Sequence, residues 1–245
     1  MSPVVGTAGW AIPATERDAF RESGTSLERY ASVLRGVEVN SSFHRPHRRS
    51  TWERWAASVP EEFRFAVKMP KEISHVRRLV DAQAPLERFL VEIGGLGPKL
   101  ELLLLQLPPS LVFSGTTISS FLDAVASLTD TPIVCEPRHS SWFEPEAGML
   151  LAQRRVARVA ADPVKTPDGA HPGGWRGLTY MRLHGSPVMY RSAYDEDGLR
   201  AYASRITDDV AAGRPVWCMF DNTAASAALG NALKLTKMLD AAWAG

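Results

Sequence analysis

Side chains of the types used in acid–base catalysis occur two residues apart in three apolar segments of the chain. The pairs are Glu38 and Asn40, Glu136 and Arg138, and Arg182 and His184. Residues two apart on a β-strand point to the same side, so each pair projects together if the segments are strands. Converging carboxylate, guanidinium and imidazole groups can supply a general acid–base and an anion clamp. The same groups can also form a buried ion-pair network that performs no reaction.

The elements that would position these pairs are eight short apolar runs, most of them separated by helical patterns. The runs are residues 3–8, 36–40, 64–68, 102–107, 133–136, 156–161, 178–183 and 216–220. Alternating strands and helices indicate an α/β protein with βαβ units, and eight units predict a single (β/α)8 TIM-type barrel over residues 1–245. The carboxyl ends of the strands form the functional face of such a barrel. We therefore expect one strand-end cluster, made of Glu38, Lys68, Gln106, Glu136, Arg182 and Asp221.

Local signals predict two helix starts and one irregular segment. Thr25 and Glu28, and again Ser50 and Glu53, have the spacing of a capping box, which marks a helix N-terminus. Residues 163–177 hold three prolines and four glycines, and both residue types break helices. The sixth βα unit of the barrel is therefore predicted to be irregular.

Two residues at the ends of predicted strands have two interpretations each. Lys68 ends the third strand, where a desolvated lysine can act as a base or form a Schiff base. It can equally be a fixed counter-ion to Glu38 or Glu136. Gln106 ends the fourth strand and either contacts a substrate or caps loop backbone. The sequence leaves both choices open.

Aromatic residues fall in the loops that follow the predicted strands. They are Trp10, Phe43, Trp142, Tyr190 and Tyr194. Aromatic rings at a barrel mouth can stack on a sugar or base, or they can simply cover the barrel. The sequence does not separate these two roles.

Charge is nearly balanced over the whole chain but uneven along it. The formal net charge is +1, so no global field favours nucleic acid or an anionic membrane. Residues 44–78 nevertheless hold nine Arg or Lys residues against four Glu residues. This basic segment suits contacts with phosphate or nucleic acid, or its arginines pair with nearby acids in a solvated loop.

The sequence predicts no metal and no cofactor, and it predicts a cytoplasmic protein without membrane contact. Cys135 and Cys218 are the two cysteines and no HxH or HExxH spacing is present, whereas a metal site needs three or four converging ligands. The alternative ligand set is His139, His184, Glu136 and Asp162. The longest apolar run, residues 102–105, is too short to cross a bilayer, and no secretory signal pattern precedes Gly6.

Seven motifs, in this order, resemble the YecE-like family, catalogued as domain of unknown function 72. They are Gly6-Thr7-Ala8-Gly9-Trp10, Val37-Glu38-Val39-Asn40-Ser41-Ser42-Phe43, Phe63-Arg64-Phe65-Ala66-Val67-Lys68, Leu105-Gln106-Leu107-Pro108-Pro109, Glu136-Pro137-Arg138-His139-Ser140-Ser141-Trp142, Tyr180-Met181-Arg182-Leu183-His184-Gly185 and Phe220-Asp221-Asn222-Thr223. The resemblance covers almost the entire chain. It implies a TIM-type barrel, in agreement with the eight predicted strands, and no particular reaction. The family often has Asn where this chain has Asp221.

The first function that these observations predict is that of an enzyme, a hydrolase or a lyase. It would act on a small anionic substrate, phosphorylated or sugar-containing, at the carboxyl ends of the strands, where the loops after strands seven and eight of TIM barrels often hold phosphate. The predicted catalytic residues are Glu38, Lys68, Glu136 and His184. The predicted substrate-binding residues are Trp10, Asn40, Gln106, Arg138, Trp142, Arg182, Arg191, Asp221 and Asn222, with Arg138 and Arg182 as the principal anion donors.

The second function is binding or processing of nucleic acid, by analogy with the barrel of endonuclease IV and with residues 44–78 as the platform. Fold analogy is a weak warrant for function. That enzyme type also needs a dense set of metal ligands, and the net charge here is near zero. The first function is therefore preferred, and a steep salt dependence of oligonucleotide binding would favour the second.

Overall fold

The β-strands of the protein, apart from the two-residue β8, overlap the apolar runs of its sequence. The computed structural model describes residues 2–164 and 166–243, and its strands are β1 (Val4–Thr7), β2 (Gly36–Val39), β3 (Arg64–Lys68), β4 (Leu100–Gln106), β5 (Ile133–Glu136), β6 (Ala157–Arg158), β7 (Ala160–Asp162), β8 (Gly173–Gly174), β9 (Thr179–Leu183) and β10 (Val216–Phe220). Every predicted run overlaps one of these strands. The sixth run holds two, β6 and β7, on either side of Val159.

Helices follow most of the strands. They are α1 (Ser26–Ala31), α2 (Ser41–His44), α3 (Arg49–Ala57), α4 (Gln83–Ile93), α5 (Gly115–Ala126), α6 (Pro145–Gln153), α7 (Glu196–Ala211) and α8 (Ala227–Trp243). Short 3-10 segments cover Ala14–Ala19, Gly94–Lys99, Ser140–Phe143 and Pro167–Ala170, and a π-helical turn covers Glu72–Val76. Within residues 2–164 and 166–243, no helix combines the length and apolar composition needed to cross a bilayer.

The strands form two sheets in which neighbours run parallel, apart from one antiparallel pair. One sheet has the order β1-β10-β9-β7, and the other has the order β2-β3-β4-β5-β6-β8, with β8 antiparallel to β6. A parallel bridge between Ala8 and Glu38 links the two sheets, and the Gly9 N–H donates to the Glu38 carbonyl at 2.8 Å. The result is an α/β fold with parallel sheets.

Alternation along the strands divides the apolar core into two clusters. The larger cluster joins one side of the strands to the helices and includes Val37, Val67 and Leu103. The smaller cluster consists mainly of strand residues of the opposite orientation: Ala66, Leu102, Leu104, Val134, Ala157, Val159, Leu178, Tyr180, Trp217 and Met219. Several residues of this cluster are followed, two positions further along the chain, by a polar residue. Since residues two apart on a strand point to the same side, these polar residues share the orientation of the cluster: Lys68, Gln106, Glu136, Arg182 and Asp221. The predicted strand-end residues thus lie beside this second cluster.

One of the two predicted capping boxes is present. Thr25 caps α1 and exchanges both hydrogen bonds of the box with Glu28, which confirms that prediction. The prediction for Ser50 is wrong, because α3 already begins at Arg49 after the extended residue Arg48, and no side chain caps it. The Ser/Thr-x-x-Glu pattern therefore marked a helix start only at Thr25, whose own backbone is extended and not helical.

The segment predicted to be irregular lacks a regular helix among its described residues. Residues 163–177, of which 165 lies outside the described part, contain only the Pro167–Ala170 turn and the two-residue strand β8. The segment leaves from β7, at the edge of the four-stranded sheet, and β8 then pairs with β6 in the six-stranded sheet.

Candidate functional site

Arg182, at the carboxyl end of β9, binds three carboxylates while its own side chain is fully buried. Its Nε donates to both oxygens of Glu38, at 3.1 and 2.9 Å, and its Nη2 donates to Glu38 Oε1 at 2.6 Å. Its Nη1 donates to Glu136 Oε2 at 2.5 Å, and its Nη2 also reaches Asp221 Oδ2 at 3.0 Å. Burial disfavours the charged guanidinium, but the carboxylates of Glu38, Glu136 and Asp221 outweigh it and raise the pKa of Arg182. Arg182 is therefore a permanent cation at the centre of the cluster.

His184 bridges two of these carboxylates. Its Nδ1 lies 3.0 Å from Asp221 Oδ2, and its Nε2 lies 3.0 Å from Glu136 Oε1. Burial opposes the charged ring, but Glu136 and the hydrogen bonds to both carboxylates prevail and raise the pKa of His184. With an acceptor at each nitrogen, the ring fits the doubly protonated imidazolium.

The acidic partners are held in their ionised forms. Burial favours the neutral carboxyl of Glu136, but Arg182, His184 and Arg138 hold the pKa of Glu136 well below its usual range. Burial acts in the same direction on Asp221, and Arg182 and His184 again prevail, so the pKa of Asp221 is lowered. Both side chains therefore remain carboxylates at neutral pH.

Tyr180 completes the buried layer, and sequence reasoning missed it. Its hydroxyl donates to Glu38 Oε2 at 2.7 Å. Burial, followed by the Glu38 carboxylate, raises its pKa well above the usual value, so the phenol keeps its proton. The alternation of side chains along a strand could have revealed it. Tyr180 lies two residues before Arg182 on β9, so both side chains point to the same side.

Arg138 and Gln106 lie on the outer side of the cluster. Arg138 Nη2 donates to Glu136 Oε1 at 2.7 Å, and its side chain is one-fifth exposed. The same nitrogen lies 3.2 Å from His184 Nε2, and the shared Glu136 oxygen holds the two cations together. Gln106 Nε2 donates to Glu136 Oε2 at 3.4 Å. Arg138 also lines a cavity of about 50 Å³ whose walls include Phe143, Val159 and Ala161.

Lys68, at the end of β3, is 8% exposed and has no ion-pair partner in the described part of the chain. No carboxylate oxygen of those residues lies within 4.0 Å of its Nζ. The amine instead lies over the ring of Phe43, 4.1 Å from its centre. Burial and the Arg182 charge lower the pKa of Lys68 to about 8, although Glu38, Glu136 and Asp221 act in the opposite direction. Glu38 and Glu136 thus act on Lys68 as nearby charges without a contact shorter than 4.0 Å, and both interpretations of Lys68, reactive amine and counter-ion, stay predictions.

Positive charge extends from Lys68 towards Arg138. His75 packs its ring 4.9 Å from that of Phe43. Burial, and then the charges of Lys68, Lys71 and Arg138, lower the pKa of His75. His75 therefore lies where the charges of Lys68, Lys71 and Arg138 act together.

Several residues predicted to bind substrate make structural contacts instead. Trp142 is buried and donates from Nε1 to the Leu111 carbonyl at 2.8 Å. Asn222 is buried and donates from Nδ2 to the Ser192 carbonyl and to Asn231 Oδ1, both at 2.9 Å, so it fixes the loop after β9 to α8. These two residues hold loops in place, and Asn222 Oδ1 is buried without a partner among the described residues.

Three further predicted residues surround the cluster less closely. Trp10 is half-buried and meets the edge of Trp55 at a centroid distance of 4.9 Å. Asn40 precedes α2, and its Oδ1 is buried without a partner among the described residues. Arg191 is exposed in the loop after β9, and its guanidinium has no hydrogen bond with the described residues.

Arg182 differs most from the expectation that it would be a principal anion donor. All three of its nitrogens already donate to carboxylates, and its side chain has no exposed surface. A ligand anion would have to displace Glu38, Glu136 or Asp221 to reach it. This arrangement is the buried ion-pair network that the sequence left open as the alternative for this group, because the sequence could not show how many acids converge on one guanidinium.

The residues considered as metal ligands are used in other contacts. His139 Nδ1 bonds with Ser141, and Asp162 Oδ2 accepts from the Tyr194 hydroxyl at 2.7 Å. In the described ranges, 2–164 and 166–243, no three His, Cys, Asp or Glu residues are arranged to hold a metal ion.

Sequence comparison assigns the chain to a family. The profile described as "Protein of unknown function DUF72" matches residues 4–245. The chain belongs to the DUF72 family. This confirms the resemblance carried by the seven motifs. The DUF72 protein described here is 22% identical to the UPF0759 protein YunF of Bacillus subtilis (strain 168), over 98% of this chain and 96% of YunF. It is 29% identical to the UPF0759 protein YecE of Escherichia coli (strain K12), over 64% of this chain and 58% of YecE.

Solved structures show the same fold. A DUF72 family protein from Enterococcus faecalis V583 is similar with a TM-score of 0.81 at 20% identity, over 98% of this chain and 96% of that one. A DUF72 family protein from Thermotoga maritima MSB8 has a TM-score of 0.79 at 23% identity, over 98% and 100%. A more distant likeness, with a TM-score of 0.51 at 11% identity, is to a xylose isomerase-like TIM barrel/4-hydroxyphenylpyruvate dioxygenase fusion protein, over 99% and 44%. These likenesses concern the fold alone.

Proposed function

We propose that this DUF72 protein is an enzyme that acts on a small anionic substrate, phosphorylated or sugar-containing, at the carboxyl ends of its strands. The observation that carries the proposal is the surplus charge of Lys68. The carboxylates of Glu38, Glu136 and Asp221 are balanced by Arg182, Arg138 and the His184 imidazolium. Lys68 therefore adds a cation that no carboxylate of the described residues contacts within 4.0 Å.

A buried cation without a counter-ion is unfavourable, which is why stable interiors rarely contain one. Two events can remove the imbalance beside Lys68: an anion binds, or the ammonium loses its proton. An anionic substrate between Lys68 and Arg138 does the first, and the low pKa of Lys68 reflects the second in the absence of a ligand. Arg138 donates to Glu136 from Nη2 and also interacts with the Tyr190 side chain, and its remaining guanidinium N–H groups can donate to the same anion.

The buried layer positions these two cations. Glu38 accepts hydrogen bonds from Tyr180 and Arg182 and is fully enclosed, so we assign it to holding Arg182 instead of proton transfer. Glu136 holds Arg138 and His184 in place in the same way. In this proposal Lys68 supplies the reactive group that faces the substrate, and Arg138 supplies the anion contact.

We further propose that the strands close into an eight-stranded TIM-type barrel formed by residues 1–245 as one domain. The parallel bridge between Ala8 and Glu38 supports closure at one junction of the sheets. At the other junction, β6 and β7 pair with different sheets although only Val159 separates them, so they act as one strand shared by both. Closure would place Lys68, Arg138 and their partners at the barrel mouth, where TIM-barrel enzymes carry out catalysis.

Calorimetric titration tests the anion site. Inorganic phosphate, sulfate and a set of sugar phosphates and sugar acids are titrated into the wild type and into Arg138→Gln. We expect at least one anion to bind the wild type, and binding to weaken about tenfold or more in Arg138→Gln, as expected for loss of a charged hydrogen bond. Arg49→Gln is the matched control, because Arg49 is an exposed arginine paired with Glu53 on α3.

The protonation of Lys68 gives the same experiment a second readout. An anion beside Lys68 favours the ammonium form, so binding near pH 8 takes up protons from buffer, and the measured enthalpy then depends on the buffer used. Lys68→Met removes this proton uptake. The proposal fails if the wild type binds no anion of the set, or if Arg138→Gln binds as well as the wild type.

A further inference from the structure

We propose that Lys68 forms a Schiff base with its substrate, so that the substrate class is a small anionic aldehyde or ketone. This inference rests on the proposed function, because it assigns the chemistry of the same site. It is carried by the position of the Lys68 amine at a strand end. The amine lies over the ring of Phe43, the side chain is 8% exposed, and no carboxylate oxygen of the described residues lies within 4.0 Å.

The surroundings of Lys68 leave its nitrogen free to react. Within the described residues the Nζ has no hydrogen-bond partner and no carboxylate within 4.0 Å. Lysines used only as structural cations are usually tied to acceptors. Lys99 in this protein is an example, since its ammonium donates to the Ala56 and Val59 carbonyls at 2.8 and 2.7 Å. Lys68 and Lys99 are both 8% exposed, so burial alone does not explain the difference.

The neutral amine is the nucleophile, and the site provides it. Burial and the nearby guanidinium of Arg182 lower the pKa of Lys68 to about 8. About a quarter of the amine is then neutral at pH 7.5, against roughly 0.1% for an ordinary lysine. A lysine in an apolar site beside another cation is a recognised form of activated amine. The ring of Phe43 also restricts where the nitrogen can lie.

The condensation balances without any further reagent. The nitrogen lone pair attacks the carbonyl carbon, the C=O π pair moves to oxygen, and proton transfer from nitrogen to oxygen gives the carbinolamine. The proton that the ammonium released to solvent on becoming neutral is returned from solvent to the carbinolamine hydroxyl. The C–O bond then breaks with its electron pair, the oxygen leaves as water, and the nitrogen lone pair forms the C=N bond. The product is a protonated imine that keeps one hydrogen on nitrogen. No oxidant or reductant takes part.

The charge distribution favours this product. The protonated imine is a cation in the place of the ammonium, so the three carboxylates and their partners need not rearrange when the bond forms. In this proposal the anionic group of the substrate is the counter-ion of Lys68. It binds on the side of His75, where the charges of Lys68, Lys71 and Arg138 act together. A carbonyl compound with a carboxylate or phosphate close to its carbonyl group meets both requirements.

Reductive trapping tests the proposal. The wild-type protein is incubated at pH 7.5 with pyruvate, 2-oxoglutarate, dihydroxyacetone phosphate or glyceraldehyde 3-phosphate, and sodium borohydride is then added. Hydride reduces an imine to a stable amine. We expect intact mass spectrometry to show one adduct per chain, with the mass of the carbonyl compound less one oxygen. Peptide mapping is expected to locate the adduct on Lys68.

Two variants control for unspecific labelling. Lys68→Met is expected to lose the adduct, while Lys71→Met, which changes an exposed lysine three residues further along the chain, is expected to keep it. Because peptide mapping of the wild type locates the adduct directly, the test does not depend on the folding of Lys68→Met. No adduct on Lys68 with any of the four compounds overturns the proposal, as does labelling spread evenly over surface lysines.

The outcomes separate this inference from the proposed function. If anions bind in an Arg138-dependent manner but no compound is trapped on Lys68, the anion site stands and the Schiff base is wrong. If no anion binds and no adduct forms, both are wrong. A Lys68 adduct whose yield falls about tenfold or more in Arg138→Gln supports both together.

Discussion

Arg182 donates to Glu38, Glu136 and Asp221 while fully buried, so its removal leaves at least two enclosed carboxylates without their main counter-charge. We expect Arg182→Ala to lower the free energy of unfolding by about 3–5 kcal/mol, the usual cost of breaking a buried ion pair from one side. Urea denaturation followed by circular dichroism measures it. This prediction assigns Arg182 to the stability of the fold, whereas the sequence predicted that it donates hydrogen bonds to a ligand anion.

Arg138→Gln is the comparison for this prediction. Glu136 keeps its contacts with Arg182 and His184 in that variant, and the Arg138 side chain is already one-fifth exposed. Its cost is expected to stay near 1 kcal/mol, as for partly solvated pairs. Equal losses in the two variants would contradict the central position of Arg182.

His184 makes the stability of the protein depend on pH. Its pKa in the folded state is raised above the ordinary 6.5, so its stabilising contribution is complete below about pH 6.5 and disappears as pH rises through the folded-state pKa. The difference in unfolding free energy between wild type and His184→Gln should therefore be largest near pH 6 and shrink towards alkaline pH. Urea denaturation between pH 6 and 9.5 measures it.

The carboxylate partners of His184 act in the opposite pH range. The pKa values of Glu136 and Asp221 are lowered, so their contributions are present above their unfolded-state values and disappear only as pH falls through the folded-state values. Measurements from pH 6 upward keep them constant. His171→Gln, which changes an exposed histidine, controls for the loss of an imidazole. A difference for His184→Gln that grows with pH would refute the assignment.

At the scale of elements, the junction of β1 and β2 depends on glycine. A Cβ on Gly6 would overlap the Gly36 carbonyl, which is backbone and cannot rotate away. Gly6→Ala is therefore expected to push β1 from β2, weaken the Ala8–Glu38 bridge and cost about 1–3 kcal/mol, as overpacking does. Thermal or urea unfolding measures the loss.

A second glycine provides the matched control for that prediction. Gly94 follows α4 with helical φ and ψ angles, and a Cβ there would have no atom within 4 Å. Gly94→Ala is expected to be neutral or slightly stabilising, because it restricts the unfolded chain without strain. If Gly6→Ala changes the free energy of unfolding as little as Gly94→Ala does, the close approach of β1 and β2 does not require glycine at position 6.

At the scale of the whole molecule, the last strand holds the first in place. β10 pairs with both β1 and β9, so residues more than 200 positions apart are hydrogen-bonded neighbours. A chain ending at residue 213 lacks β10 and α8, and we expect it to lose native structure throughout, as a single domain would. Hydrogen exchange over residues 36–136 measures this.

The same measurement can contradict the single-domain prediction. If residues 36–136, which include β2 to β5, keep native protection in the shortened chain, that half folds by itself and the protein has two units. Loss of protection in both halves supports one cooperative barrel.

Local sequence patterns are sufficient to predict where most of the strands run and which way their side chains point. Period-two alternation and the change from apolar to polar residues are local properties, so they are enough to assign Glu38, Glu136 and Arg182 to the same side of the strand ends. The irregular stretch at 163–177 was predictable for the same reason, because Pro and Gly act on their own backbone.

Which charged side chains contact one another depends on the tertiary structure. Tyr180 and Arg182 contact Glu38 from more than 140 positions away, and that contact depends on the order and stagger of parallel strands, which no local pattern encodes. The environment of Lys68 depends on the tertiary structure in the same way. The three carboxylates contact other cations directly, and none lies within 4.0 Å of the Lys68 amine. Desolvation and distance set these interactions, and both exist only once the strands have been brought together.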